Sequence, residues 1–206
     1  MKYHSATKYI LLAVLLLIAP VVSAVTAPDV LNKVLRTVES APSITLNLRI
    51  ASGQASGKGT LTVAKECFIF SGEDIKVCYD GKTQWTHQIS EREVTLTNPT
   101  ANELAEVNPL SFLKNYQANY KVNILSSAGG KYKIQLLGKR RSLYVRSAVV
   151  TVSATTWLPT RIDAELSNGG KLTVDVDSAV KGKAIPAAKF KFSTSANPGV
   201  EVIDLR

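Results

Sequence analysis

The chain has 206 residues, 45% of them apolar and 20% charged, with a formal net charge of +9. Such a length and composition suit one domain with a full hydrophobic core and exclude a disordered chain. A basic balance points to anionic partners, with plain solubility as the alternative.

The first element is a leader. Met1–Lys8 carries Lys2 and Lys8, and Tyr9–Ile18 is an almost unbroken apolar run. Ser23-Ala24 closes a small-x-small pattern, and Val25-Thr26-Ala27 offers a second. This is the layout of a cleaved secretory signal, with cleavage expected after Ala24 or Ala27. The expected organisation is a signal peptide over 1–24 and a single domain over 25–206. The apolar run is short against the ~18–20 residues of a membrane span. No cysteine lies directly after it, so no N-terminal lipid anchor is expected. Loss of Lys2 and Lys8 leaves a charge of +7. An exported protein rarely meets nucleic acid, so anionic lipid or an acidic protein face is the expected kind of partner.

Thr26-Ala27-Pro28-Asp29 reads as a helix start: hydroxyl cap, early proline, acid at the third position. Val30, Val34, Leu35 and Val38 share one helical face, and Pro42 closes the element. Strands follow. Ile44, Leu46, Leu48 and Ile50 alternate with polar residues, and Gly59, Leu61 and Val63 continue the pattern after a Gly/Ser turn. Cys67–Tyr79 reads as a hairpin about Ser71-Gly72-Glu73-Asp74. In that register Phe70 faces Ile75, Phe68 faces Val77 and Cys67 faces Cys78, so a disulfide is expected between the two cysteines of an exported chain. Two free buried thiols are the alternative. Asp80-Gly81 is a tight-turn signal leading to Gln84–Ile89, and Glu91-Arg92 turns into Val94–Thr97.

The alternation then breaks. Leu104, Val107, Leu110, Phe112 and Leu113 fall at helical spacings, with Pro109 expected to split the segment into two short helices. Strands are predicted again over Tyr120–Leu125, Lys131–Leu137, Leu143–Ser153, Arg161–Leu166, Lys171–Val176, Lys189–Ser193 and Val200–Ile203. The order predicts an α+β fold with one large, strongly curved antiparallel sheet covered by helices. Its apolar face is expected to line a cavity, with Leu46, Leu48, Ile50, Leu61, Val63, Phe68, Phe70 and Trp85 from the first half. Ile134, Leu136, Leu172 and Val174 are the second-half candidates. Ordinary core filled by the helices is the alternative. The Pro-jointed mid-chain segment is the expected lid.

Catalytic signatures are sparse. His87 is the one histidine after processing, so no metal or cofactor site is expected. No G-x-S-x-G, phosphate loop or H-E-x-x-H occurs. Asp175 and Asp177 share a strand face, which suits acid–base chemistry or, more simply, a solvated face. Lys139-Arg140-Arg141 with Arg146 is the sharpest basic cluster, suited to lipid headgroups, an acidic partner or solubility alone. A non-enzymatic binder is expected.

Several stretches carry a family resemblance. Gly57-Lys58-Gly59-Thr60-Leu61, Tyr79-Asp80-Gly81-Lys82-Thr83-Gln84-Trp85 and Glu93-Val94-Thr95 resemble the first half of the periplasmic outer-membrane lipoprotein carrier family, LolA. Ile185-Pro186-Ala187-Ala188-Lys189-Phe190-Lys191-Phe192 and Pro198-Gly199-Val200-Glu201-Val202 resemble its ending. The resemblance implies an unclosed β-barrel with a helical lid. It also implies a monomeric periplasmic carrier that takes acylated lipoproteins from an inner-membrane release transporter to an outer-membrane acceptor. The family's Arg-Pro lid latch before the third strand is replaced here by Ala64-Lys65-Glu66, where Lys65 is the candidate stand-in without arginine's planar fork. The chain therefore resembles a divergent member. A lipid-sensing or lipopeptide-sensing module on the same fold, as in stress regulators similar to LolA in shape, is the rival reading. Such regulators usually carry a further domain, which is not expected before Arg206.

Overall fold

Period-two alternation zips most of this chain into one sheet. In the computed structural model, which describes residues 24–108 and 110–206, twelve strands lie in the order β12-β6-β5-β4-β3-β2-β1-β11-β10-β9-β8-β7. They are β1 (Ser43–Ser52), β2 (Ala55–Ala64), β3 (Cys67–Ser71), β4 (Ile75–Tyr79), β5 (Gln84–Gln88) and β6 (Glu93–Thr97). The second half supplies β7 (Tyr120–Ala128), β8 (Lys131–Gly138), β9 (Val145–Ser153), β10 (Pro159–Leu166), β11 (Lys171–Gly182) and β12 (Glu201–Asp204). The sheet does not close: β12 and β7 are its two edges. Neighbours are antiparallel except β12, which runs parallel to β6. Helices α1 (Ala27–Ser40), α2 (Ala101–Val107) and α3 (Tyr116–Asn119) and two 3₁₀ turns complete the fold. The expected leader lies outside the described residues up to position 23. Among the described residues no helix is long and apolar enough to cross a membrane.

The helix starts are chemically specified. The Thr26 hydroxyl accepts from Asp29 N at 3.4 Å while the Asp29 carboxylate accepts from Thr26 N at 3.0 Å. This reciprocal pair satisfies amides that have no partner inside the helix. Hydrogen bonds donated by the Thr26 hydroxyl, at 2.6 Å, and by the Thr26 amide hold the Asp29 carboxyl below its ordinary pKa. Thr100 and Glu103 repeat the device at α2.

The hairpin of β3 and β4 corrects the expected register. Phe70 faces Val77, Phe68 faces Tyr79 and Ile69 faces Cys78. Gly72 N donates to Ile75 O at 2.8 Å, so the turn has two central residues, Glu73 and Asp74, rather than four. A slip of two residues leaves every side chain on its face, so the apolar pattern cannot distinguish the registers. Cys67 therefore sits diagonal to Cys78, at a separation of roughly 7–8 Å for such pairs, beyond disulfide reach. Both cysteines are free thiols, Cys78 buried. A second correction concerns Lys189–Ser193, which forms no strand. Ala187–Phe190 is a 3₁₀ turn followed by irregular chain.

Two cores result. The main one lies on the sheet's inner face, and includes α1 through Val30, Leu31 and Val34. A smaller one lies on the outer face of β3–β6, where Cys78, Val94, Leu96 and Phe190 are buried. There the segment after β11 folds back over the sheet. His87 meets Phe192 edge-on at 5.0 Å, and Lys191 Nζ lies 3.6 Å from an Asp80 oxygen.

Two outcomes are expected. Thiol titration of the unfolded, unreduced protein should give two thiols per chain, and folded Cys78 should react far more slowly than Cys67. Burial pushes the Tyr120 phenol up to about 12, and its hydroxyl donates to Val145 O at 2.9 Å. The unfolded chain gives up that proton near pH 10, so stability should fall as pH rises from about 10 towards 12. Burial raises Cys78 and Tyr79 in the same sense. Denaturant titrations at several pH values should show a shallower alkaline fall in Tyr120→Phe than in wild type.

Candidate functional site: a covered inner face

Strand register decides which side chains converge. Ile44–Val63, Leu46–Leu61 and Leu48–Gly59 are opposed across β1 and β2, and Leu61–Phe70 and Val63–Phe68 across β2 and β3. Ile50 is opposed to Val174 across β1 and β11, and Val150 to Ile134 across β9 and β8. Eleven of the twelve expected cavity residues thus share the inner face and the main core: Leu46, Leu48, Ile50, Leu61, Val63, Phe68, Phe70, Ile134, Leu136, Leu172 and Val174. Trp85 does not. It is opposed to Cys78 and Leu96, on the outer face. At β5 and β6 the inner positions are Gln84, Thr86, Gln88, Glu93, Thr95 and Thr97, so the oily side of the sheet switches faces there. Gln84 is buried, its amide nitrogen donating to Thr86 Oγ1 at 3.1 Å while Oε1 has no partner.

The inner face is mostly filled. Ile44, Leu46, Leu61, Ile134 and Leu136 are fully buried beneath α1 and the mid-chain segment. Space remains beside Ile124 and Tyr132, in a groove of about 400 Å³, and at the β1–β3 end, where a groove of about 350 Å³ is lined by Ile50, Gly57, Phe70, Gly72 and Ile75. The latter adjoins a wider hollow of about 860 Å³ that shares Ile50, Gly57 and Lys58 with it and carries the charged side chains of Arg49, Asp175 and Asp177. Two inward-facing glycines shape this end. A Cβ on Gly59 would lie 2.5 Å from the Phe70 ring, so only glycine lets that ring lie over β2. At Gly57 the same position is open space. Asp175 and Asp177 are held by arginines: Arg161 reaches Asp175 at 2.9 Å and Arg49 reaches Asp177 at 2.8 Å.

The mid-chain segment covers the face as a broken chain. α2 ends at Val107, the 3₁₀ turn Ser111–Leu113 follows, then α3. Phe112 and Leu113 are buried, and Leu104, Val107 and Leu110 pack against the core. Sequence reasoning missed Tyr116, which is fully buried and whose hydroxyl bonds to Asn32 Oδ1 at 2.9 Å, joining the segment to α1. The expected latch is also corrected. Lys65 is an exposed turn residue with φ 55°, and the ion pair to the mid-chain segment comes from its neighbour: Glu66 Oε2 to Lys114 Nζ, 2.6 Å. No periodicity marks either partner. At the far side Lys139 Nζ donates to Gln117 O at 2.7 Å and an Arg140 guanidinium N–H to Asn119 Oδ1 at 2.6 Å.

Comparison with known proteins fits this geometry. The family described as outer membrane lipoprotein carrier protein LolA matches residues 20–168, well over half the chain. The chain belongs to the LolA family. Its fold is therefore one that binds lipid or lipoprotein, and the match ends before β11, the 3₁₀ turn and β12. Among solved structures, an uncharacterized conserved protein from Thermus thermophilus superposes with a TM-score of 0.61 at 8% identity, covering 86% of this chain and 98% of that one. MucB, in its Pseudomonas aeruginosa complex with MucA, gives 0.50 at 12% identity over 82% of this chain and 61% of that one. These likenesses show the open curved sheet alone. No curated protein sequence matches.

The mid-chain segment of this LolA relative is held by apolar burial more than by its ion pair. Leu113→Ala should cost about 2–5 kcal/mol. Glu66→Gln should cost only about 0–1 kcal/mol, because the Lys114 and Glu66 side chains are 35% and 74% exposed. Urea unfolding of the two variants checks the ranking.

Proposed function

We propose that the protein is a periplasmic carrier that shields the acyl chains of lipoproteins between an inner-membrane release transporter and an outer-membrane acceptor. The observation that carries this reading is the apolar inner face, covered by a jointed segment and open at one end beside Gly57. One acyl chain of ~16 methylenes loses roughly 13 kcal/mol on leaving water, at ~0.8 kcal/mol per CH₂. A carrier must hide that surface and still release it, which an openable cover on an unclosed sheet allows. Processing after Ala24 fits the same reading. It leaves the Thr26–Asp29 cap whole, whereas cleavage after Ala27 would remove Thr26.

The rival is an envelope lipid- or lipopeptide-sensing module on the same fold, which the likeness to MucB supports. A carrier gives its cargo to acceptor vesicles; a sensor keeps it and changes partner.

A fluorescent fatty-acyl probe tests the proposal. Wild type should bind it saturably, and a lipid extract of the purified protein should contain acylated material. Gly57→Trp should keep the circular dichroism and melting temperature of wild type, since the position is open and its φ is ordinary, yet bind the probe at least tenfold more weakly. A wild-type protein that takes up neither probe nor lipopeptide overturns the carrier reading.

A further inference from the structure

The charge of this chain is concentrated in one stretch. Residues 107–162 contain nine Lys or Arg and no Asp or Glu. The rest of the chain from residue 24 carries fourteen basic and sixteen acidic residues, a net of −2. The whole positive balance therefore sits on the mid-chain segment and strands β7–β9, at one edge of the sheet. Two of the nine are neutralised by partners, Lys114 by Glu66 and Arg161 by Asp163 and Asp175. Lys139 and Arg140 are bound to neutral oxygens, which leaves their charge uncompensated. Lys121, Lys131 and Arg141 are exposed.

Two large apolar side chains lie exposed among these cations: Leu125, 53% exposed at the bulge of β7, and Leu137, 40% exposed on β8. Leu137 is the cross-strand partner of Lys121, and Lys131 is opposed to Ala128 near the other end of the hairpin. At ~3.3 Å per residue the charges spread over roughly 20 Å of sheet edge. An extended basic face with protruding leucines matches an anionic bilayer surface. Lysine stems lie along the interface, their ammonium groups meet headgroups, and the leucines enter the boundary layer.

We propose that the β7–β8 edge, with the Lys139–Arg141 loop, docks this protein onto anionic phospholipid membranes. The docked end is also the one that holds α3 of the lid through Lys139 and Arg140. The inference stands apart from the acyl-carrier reading and is measured without cargo.

The test is co-sedimentation of the processed, exported protein with phosphatidylglycerol-containing vesicles and with phosphatidylcholine vesicles. Wild type should bind the anionic vesicles, lose that binding in high salt and ignore the neutral ones. The triple variant Lys121→Gln, Lys131→Gln, Arg141→Gln should bind about 100-fold more weakly, at the usual contribution of each basic residue near an anionic surface. None of these residues makes a hydrogen bond or ion pair to the described residues of the mid-chain segment. A control with the same charge loss elsewhere, Lys82→Gln, Lys181→Gln, Lys183→Gln, should bind like wild type. Leu125→Ser with Leu137→Ser should weaken binding at unchanged net charge. All variants keep one N-terminus, so differences belong to the mutated face. Absence of binding to anionic vesicles overturns the proposal, as it would if the face served an acidic protein instead. Equal losses in the two triple variants overturn it as well, because net charge alone would then account for binding.

Discussion

A sheet of twelve strands with an apolar inner face has to be covered, and most of this structure follows from that need. The inner side chains of β1–β4 and β7–β11 present a continuous oily surface. An uncovered patch of that extent would associate with itself or with membranes. α1 supplies part of the cover through Val30, Leu31 and Val34, locked in place by its capping box. The mid-chain segment supplies the rest. It is interrupted between Val107 and the 3₁₀ turn at Ser111, so its oily residues follow the curvature of the sheet rather than a straight helical stripe.

How firmly that second cover is held sets what the fold can do. Leu104, Val107, Leu110, Phe112, Leu113 and Tyr116 are its apolar contacts. At about 1.5–3 kcal/mol for a fully buried side chain, less for half-buried ones, they hold the segment by on the order of 10 kcal/mol. Its polar ties, Lys114 to Glu66, Tyr116 to Asn32 and Arg140 to Asn119, each add about 1 kcal/mol at most. A long acyl chain brings a comparable amount of apolar burial, near ~13 kcal/mol. On the proposed carrier reading, exchange of one oily cover for another is thus close to balanced. A lid held mainly by ion pairs would gain nothing from an acyl chain, and a lid of one long rigid helix would give way only as a whole.

Much of this was legible in the sequence because alternation and caps are local signals. Strict period two in Ile44–Ile50 and its echo in Leu61 and Val63 place these side chains on one face, and the ladder keeps them there. Thr26-Ala27-Pro28-Asp29 marks the start of α1. What was illegible depends on register and on side chains meeting across space. The β3–β4 slip of two residues preserves every face, so Cys67 and Cys78 look like partners in one register and are diagonal in the other. The ion pair to the mid-chain segment falls on Glu66 rather than Lys65, because the direction of a turn side chain depends on the left-handed backbone at Lys65, which no pattern announces. Lys189–Ser193 alternates like a strand, yet its two phenylalanines serve as a cover for the outer face.

Trp85 shows how a correct local reading fails at a larger scale. Gln84–Gln88 is a strand, as alternation implies, and its larger apolar side chain was assigned to the common cavity. The ladder from β4 fixes the opposite outcome, since Trp85 is opposed to Cys78, whose neighbours Val77 and Tyr79 point inward. From β5 onward the oily residues are Trp85, Val94 and Leu96, all on the outer face, and the chain after β11 must return to cover them with Phe190 and Phe192. The inner surface of β5 and β6 is left to Gln84, Thr86, Gln88 and Glu93. Burying those polar groups against hydrocarbon would cost several kcal/mol where they lack partners. The apolar path on the inner face therefore runs from Ile75 on β4 towards β7, and the groove at Ile50, Gly57 and Phe70 opens onto it at its unfilled end.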